Sequence, residues 1–429
     1  MSQQKQSGNV VAIIMMIFLF GMIAFVTNLA VPMGVVAKNQ FSFSNAMGML
    51  GNMANFIAYA VMGIPGGILL QKVGYKKTAL IAIAVGFLGV FVQFLSGHVA
   101  SFGVYLLGAF IAGFSMTLLN TVVNPMLNTL GGGGNRGNQL IQVGGSFNSV
   151  LATFTPAFVG ILIGETTKAN ITDVFPVLYI AMGVFALTFF VLWAVSIPEP
   201  HAERSSEPLG NLMSGAVKFR HFILGAIGIF VYVGVEVGTP GTMLFWLSDP
   251  NASSVGATTA GSIAGTYWLL MLVGRLIGAS IGNKVSSKSM LMVASSIALI
   301  LVTLAIFSPT TSQVSLPLMI RSDAGALSFG LAQVPINAMF LVLIGLCTSI
   351  MWGGIYNLAV EGLGKYLPVA SGIFMTLVCG GGILPWIQAN VADVAGYMTS
   401  YWVIFIGFAY LLFYALIGSK NVNKDIPVN

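Results

Sequence analysis

The chain has 429 residues, of which 57% are apolar and 7% are Asp, Glu, Lys or Arg, against about 45–50% and about 25% in soluble domains. A mean hydropathy of +0.93 and repeated apolar runs near the roughly 20 residues that cross a bilayer as helix exclude a soluble globule and define an integral membrane protein. The net charge of +6 is explained by loop lysines and arginines and calls for no nucleic-acid partner.

The apolar segments fall at about 10–37, 46–71, 77–97, 103–128, 140–164, 174–197, 219–247, 259–283, 289–308, 333–360, 368–392 and 399–418. These are long continuous runs rather than alternating ten-residue segments, which excludes a transmembrane β-barrel. The expected fold is an all-α membrane protein with twelve transmembrane helices. Such helices use most of the chain, so function resides between them. The first run follows Lys5 and is too long for a signal-peptide core, so it reads as a retained transmembrane helix. Cys347 and Cys379 both lie in apolar stretches, which supports neither a disulfide framework nor a Cys-based metal site. No cofactor is expected.

Lys and Arg concentrate in cytoplasmic loops. With the amino terminus inside, Lys5, Lys72, Lys76, Lys77, Arg136, Arg204, Lys218, Arg220, Lys284, Lys288, Lys365, Lys420 and Lys424 are cytoplasmic, and only Lys38, Lys168 and Arg321 are outside. The expectation is a multi-pass protein of the inner (cytoplasmic) membrane with both termini in the cytoplasm. The polar stretch from Pro198 reads as a linker over 198–218, between a six-helix bundle at 1–197 and a second at 219–429. A second polar interval, about 308–333, is long for an outer loop and has room for a short surface helix.

The two halves repeat a pattern. Gly66-Gly67 and Gln71-Lys72-Val73-Gly74 precede the third segment, and Gly278 and Asn283-Lys284-Val285 precede the ninth. Small residues allow two membrane helices to approach closely. Internal duplication places a transporter's binding site between its repeats near the bilayer midplane.

Ionisable groups at membrane depth are costly and mark substrate or ion pathways. Glu236 is the one acidic residue near the middle of an expected helix, which makes it either a titratable coupling group or a structural partner for a neighbouring helix. The amides Asn28, Asn52, Asn55, Asn120, Asn124, Gln142, Asn148, Asn357, Gln388 and Asn390 are abundant for such segments. Each can join helices, and together they favour a polar cavity between helices. The aromatic faces of Tyr232, Trp268, Trp352 and Trp386 can cover the apolar surface of a small solute. Asn28, Asn120, Gln142, Asn148, Tyr267 and Asn357 are the expected substrate contacts, with Glu236 as the coupling group. Arg275 and Glu361, both near cytoplasmic helix ends, are the expected ion pair of a gate or a fixed bridge. Gly131 to Gly134 lacks the G-K-[ST] ending of a phosphate loop and follows a lipid helix rather than a strand. Pro125, Pro385 and Gly380 to Gly382 are expected bending points.

The stretch Gly66 to Lys77 resembles the G-x-L-x-D-R-x-G-R-K signature of the major facilitator superfamily, with Gln71 for its Asp and Tyr75 for its Arg. Further stretches carry a resemblance to the fucose:proton symporter family of sugar transporters: Asn120 to Pro125, Ser146 to Ser149, Tyr232 to Glu236, Tyr267-Trp268 with Gly274-Arg275, Ser349 to Met351, Leu363 to Tyr366 and Gly380 to Pro385. The resemblance implies two pseudo-symmetric six-helix bundles. It also implies carboxylates for proton coupling and sugar binding on helices one and four, where this chain has Asn28 and Asn120. An amide can bond a hydroxyl but cannot carry a proton. Gly145 stands where members often have Gln, with Gln142 one turn earlier, and Trp352-Gly353-Gly354 stands where Phe-Pro-Thr is common.

The expected function is secondary active transport of a neutral, hexose-like sugar by alternating access, as cation-coupled import driven by a proton or sodium ion. The protein is expected to act as a monomer in the lipid bilayer. The alternative is an uncoupled facilitator, or an exporter of another small solute. An enzyme is disfavoured because His98, His201 and His221 lie in loops or at a helix end and no H-E-x-x-H or G-x-S-x-G occurs. A receptor is disfavoured for want of a signalling domain.

Overall fold

The computed structural model describes residues 10–27, 36, 50–163, 170–199, 209–248, 252, 253, 255, 257–321, 327–423 and 425–428. The first half contains α1 (Val10–Thr27), α2 (Leu50–Val73), α3 (Tyr75–Val99), α4 (Phe102–Leu130), α5 (Gly134–Ile163) and α6 (Phe175–Ala194). The second contains α7 (Arg220–Ser248), α8 (Ala257–Ile281), α9 (Ser287–Phe307), α10 (Ile336–Val360), α11 (Gly364–Ala395) and α12 (Tyr397–Gly418). Among the described residues, eleven helices are long and apolar enough to cross a membrane. The remaining long helix, α5, spans 30 residues and carries Gln139, Gln142 and Asn148 in its first half, followed by Ser149. A short helix, Leu209–Ala216, precedes α7.

Two helices are broken where sequence chemistry weakens them. α10 divides into Ile336–Thr348 and Met351–Val360, just before Gly353-Gly354. In α11 a 3-10 turn over Leu377–Cys379 separates Leu367–Thr376 from Gly380–Ala395, at the Gly380 to Gly382 run. The tighter turn replaces regular α-helical bonds at a point where glycine offers little helical preference.

The four-glycine run turns the chain between α4 and α5. Gly132, Gly133 and Gly134 have φ of 80, 72 and 53°, a left-handed series that side chains oppose. Gly131 keeps a right-handed conformation, and a Cβ there would stand 2.7 Å from Gly137 Cα. This turn lies at the end of the molecule that also carries Lys72, Lys76, Lys77, Lys284, Lys288 and Lys365, called here the basic end.

The interval with room for a surface helix forms instead an antiparallel hairpin, β1 (Gln313–Arg321) and β2 (Leu327–Pro335), paired from Gln313↔Pro335 to Arg321↔Leu327. The physical reason is period-two alternation. Leu316 and Leu318 are buried while Ser315 and Pro317 are exposed, and Pro317 opposes a helix but is tolerated on an edge strand.

α4 is buried on every side from Ser115 to Asn128, as expected of a helix at the centre of its bundle. The halves meet along α2 with α11 and α5 with α8. Small residues permit this approach: a Cβ on Gly67 would stand 2.9 Å from Gly372 Cα, and one on Gly282 would stand 3.2 Å from Gln139 Cα.

Candidate transport site

A cavity of about 220 Å³ lies between the halves, lined from α1, α2, α4 and α5 on one side and α7, α8, α10 and α11 on the other. Its polar wall includes Asn52, Tyr59, Asn120, Gln142, Asn148, Ser149, Glu236, Arg275 and Ser349, and its apolar wall includes Phe20, Ile23, Phe56, Val233, Trp268, Met271 and Trp352. Five of the expected site residues, Asn120, Gln142, Asn148, Glu236 and Arg275, converge here. Asn28 lies outside the described residues.

The spacing along α4 places asparagines at 120, 124 and 128 on one face, because positions four apart stack along a helix. Asn120 Nδ2 donates to Tyr59 Oη at 2.8 Å and to the Met116 carbonyl at 3.2 Å. Asn124 Nδ2 donates to the Asn120 carbonyl at 2.8 Å, while its Oδ1 accepts from Trp352 Nε1 across the half interface at 2.9 Å. On α5, Asn148 Nδ2 donates to the Phe20 carbonyl at 2.8 Å and Gln142 Nε2 to the Ile350 carbonyl at 2.9 Å.

Glu236 and Arg275 form the charged centre. Arg275 Nη2 lies 3.4 Å from Glu236 Oε1, and both side chains are nearly enclosed, at 11% and 12% exposure. Tyr232, one helical turn before Glu236 on α7, donates to the same Oε1 at 2.8 Å. Arg275 Nη1 donates to the Gly145 carbonyl at 2.8 Å, Ser149 Oγ at 2.7 Å and Asn148 Oδ1 at 3.2 Å, and Nε reaches the Ser349 carbonyl at 3.3 Å. One guanidinium on α8 is therefore tied to α5 of the opposite half, to α7 and to α10. A Cβ at Gly145 would stand in van der Waals contact with Arg275 Cδ, at 3.4 Å, so a side chain extending further in that direction would compete for the space the arginine fills.

The expected Arg275–Glu361 pair is corrected by this geometry. Arg275 sits at the cavity, where a carboxylate and several oxygens compensate its burial. Glu361 follows the end of α10, where its carbonyl contacts His221 Nε2 at 2.9 Å. Two expected substrate contacts are also placed elsewhere. Tyr267 is fully buried and is not among the lining residues; its hydroxyl meets the Glu236 carbonyl at 3.2 Å. Asn357 lies toward the basic end, accepting from Asn128 Nδ2 at 2.8 Å and donating to Ser287 Oγ at 2.9 Å. Of the expected aromatic faces, Trp268 and Trp352 line the cavity, Tyr232 stands behind Glu236, and Trp386 is 60% exposed on the outer surface.

Tyr59 and Asn128 are additions to the expected residues, and the four-residue spacing of Asn120, Asn124 and Asn128 is the sequence signal for the second. Ser149 and Ser349 stand in stretches that carry the family resemblance, and the fold gives them their place beside Arg275.

Hydrogen bonds between the halves form a layer from the cavity toward the basic end: Trp352 to Asn124, Asn128 to Asn357, and Gln139 Nε2 to the Ala279 carbonyl at 3.0 Å. Interhelical bonds in membranes average about 0.6 kcal/mol each. Losing the one that Asn357 makes across the halves, from Asn128, shifts a closed–open equilibrium roughly threefold by that measure. Asn357→Ala is expected to populate longer separations between spin labels at the exposed positions 77 and 288. An unchanged distance distribution counts against a latch at this layer.

A cavity between two repeated helix bundles, with amides and an ion pair set in a largely apolar wall, is the architecture of a membrane transporter. The chain belongs to the Major Facilitator Superfamily, whose family model matches residues 13–386. It is 29% identical to a glucose/galactose transporter of Brucella abortus biovar 1 (strain 9-941), over 98% of this chain and 96% of that one. It is 20% identical to the L-fucose-proton symporter of Escherichia coli (strain K12), over 84% and 82%. The crystal structure of the transporter FucP in the outward conformation superposes with a TM-score of 0.79 at 19% identity, covering 96% of this chain and all of that one. The twelve-helix fold in two six-helix bundles follows, as does a multi-pass membrane protein that is a transporter rather than an enzyme.

Proposed function

We propose that this protein imports a neutral monosaccharide across the cytoplasmic membrane by alternating access, coupled to protons through Glu236. The observation that carries this is the cavity, where amides from the first half face an ion pair from the second. Its volume, below the roughly 300–1,000 Å³ of drug-sized pockets, suits one sugar ring. Asn120, Gln142 and Asn148 supply donors and acceptors for hydroxyls, and Trp268 and Trp352 supply apolar faces. The sugar-transporting relatives support the substrate class.

A proton fits better than sodium because Glu236 already shares its carboxylate with an internal cation, Arg275. The basic end faces the cytoplasm under the positive-inside rule, with both termini there and bundles at 1–197 and 219–429 joined by 198–218.

A second reading, uncoupled facilitation, draws on the same pair, since a carboxylate held by Arg275 and Tyr232 can serve as a fixed structural element. Uptake of a labelled hexose panel into proteoliposomes, with and without imposed proton or sodium gradients, separates the two. Proton-driven accumulation of a hexose is expected; equilibration without accumulation under every gradient favours the facilitator.

A further inference from the structure

α7 carries Pro240 one turn after Glu236, inside a continuous helix. Proline has no N–H, so the Glu236 carbonyl loses its helical donor, and the ring crowds that carbonyl. A buried carbonyl without a partner is costly. Here the replacement donor comes from another helix: Tyr267 Oη on α8 reaches the Glu236 carbonyl at 3.2 Å. The same phenolic oxygen lies 3.0 Å from Thr348 Oγ1 on α10. Tyr267 has one proton to give, so when it donates to Glu236 it accepts from Thr348. Three helices are thus joined behind the residue that bears the carboxylate, by a side chain that is fully buried and outside the cavity wall.

We infer that Tyr267 is a positioning residue for Glu236, needed because Pro240 removes the carbonyl's own donor. It fixes the α7 backbone at Glu236 and thereby where Oε1 stands against Tyr232 and Arg275. The inference rests on the proposed coupling role of Glu236.

The test is a pair of substitutions read in proteoliposomes. Tyr267→Phe keeps the ring and deletes the hydroxyl. It is expected to shift the pH profile of uptake and lower proton-driven hexose accumulation about fivefold, about 1 kcal/mol or one net hydrogen bond, with KM for downhill uptake unchanged. Pro240→Ala restores an N–H for the Glu236 carbonyl, so accumulation by Pro240→Ala/Tyr267→Phe should return to the level of Pro240→Ala alone. A wild-type pH profile and accumulation in Tyr267→Phe overturns the inference, as does a double variant no better than Tyr267→Phe. Should Tyr267→Phe fail to fold, Thr348→Val removes the donor that orients the phenol and is expected to move the pH profile in the same direction; an unmoved profile there overturns it as well. Glu236→Gln run in parallel separates the two levels. If that variant still accumulates sugar under a proton gradient, the coupling role fails; if it does not while Tyr267→Phe behaves as wild type, only the positioning role fails.

Discussion

Glu236→Gln is expected to abolish proton-driven hexose accumulation while preserving exchange of labelled for unlabelled sugar. The substitution nearly conserves shape, and a Gln Oε1 can still accept from Tyr232 and Arg275, whose bonds to Oε1 are 2.8 and 3.4 Å. What it removes is the ability to bind and release a proton. Exchange needs only a substrate site that alternates between the two sides, whereas accumulation needs a second, titratable species carried with the sugar. A membrane-depth carboxylate is costly enough that its presence points to such a use. Loss of both exchange and accumulation would place Glu236 in sugar binding or folding instead. Retention of both under a pH gradient would leave the ion pair as a structural brace and move the protein to the uncoupled class.

The fold was legible in the sequence because a bilayer imposes a length and an apolarity on every spanning helix. The expected segment at 103–128 and the observed Phe102–Leu130 differ by a residue or two, as do 77–97 and Tyr75–Val99. The hairpin at 313–335 does not follow from the lipid rules because outside the lipid the chain obeys ordinary strand rules, and alternation at Val314, Leu316 and Leu318 is its sequence signal.

The site was only partly legible. Amides on α4 and α5 and the lone mid-helix carboxylate were visible as polar residues that lipid would not tolerate at random. The identity of Arg275's partner was not, since α7 and α8 meet through packing that no local spacing encodes. Asn357 and Tyr267 share the polarity of true lining residues but serve helix junctions, and sequence alone does not distinguish a hydroxyl that faces a cavity from one that caps a carbonyl freed by proline. The departures from the symporter pattern also become connected. Asn120 supplies no charge on α4, Gly145 clears space on α5, and the ionic centre is assembled from α7 and α8 in the other half.

That assembly makes Arg275→Ala the most disruptive single change expected at the site. Removing one partner of a buried ion pair costs about 3–5 kcal/mol because the other charge is left uncompensated. Here the loss also strips donors from the Gly145 and Ser349 carbonyls, Ser149 Oγ and Asn148 Oδ1. The variant is expected to lower the unfolding midpoint of the detergent-solubilised protein and to lose sugar uptake. Glu236→Gln combined with Arg275→Ala should be more stable than Arg275→Ala alone, since no bare carboxylate then remains, although the α5 acceptors stay unfilled and full stability does not return. Non-additivity of this sign is what coupled partners produce. If the two substitutions add independently in thermal unfolding, Glu236 and Arg275 do not act as a pair, and the arginine's part is confined to bridging α8 to α5.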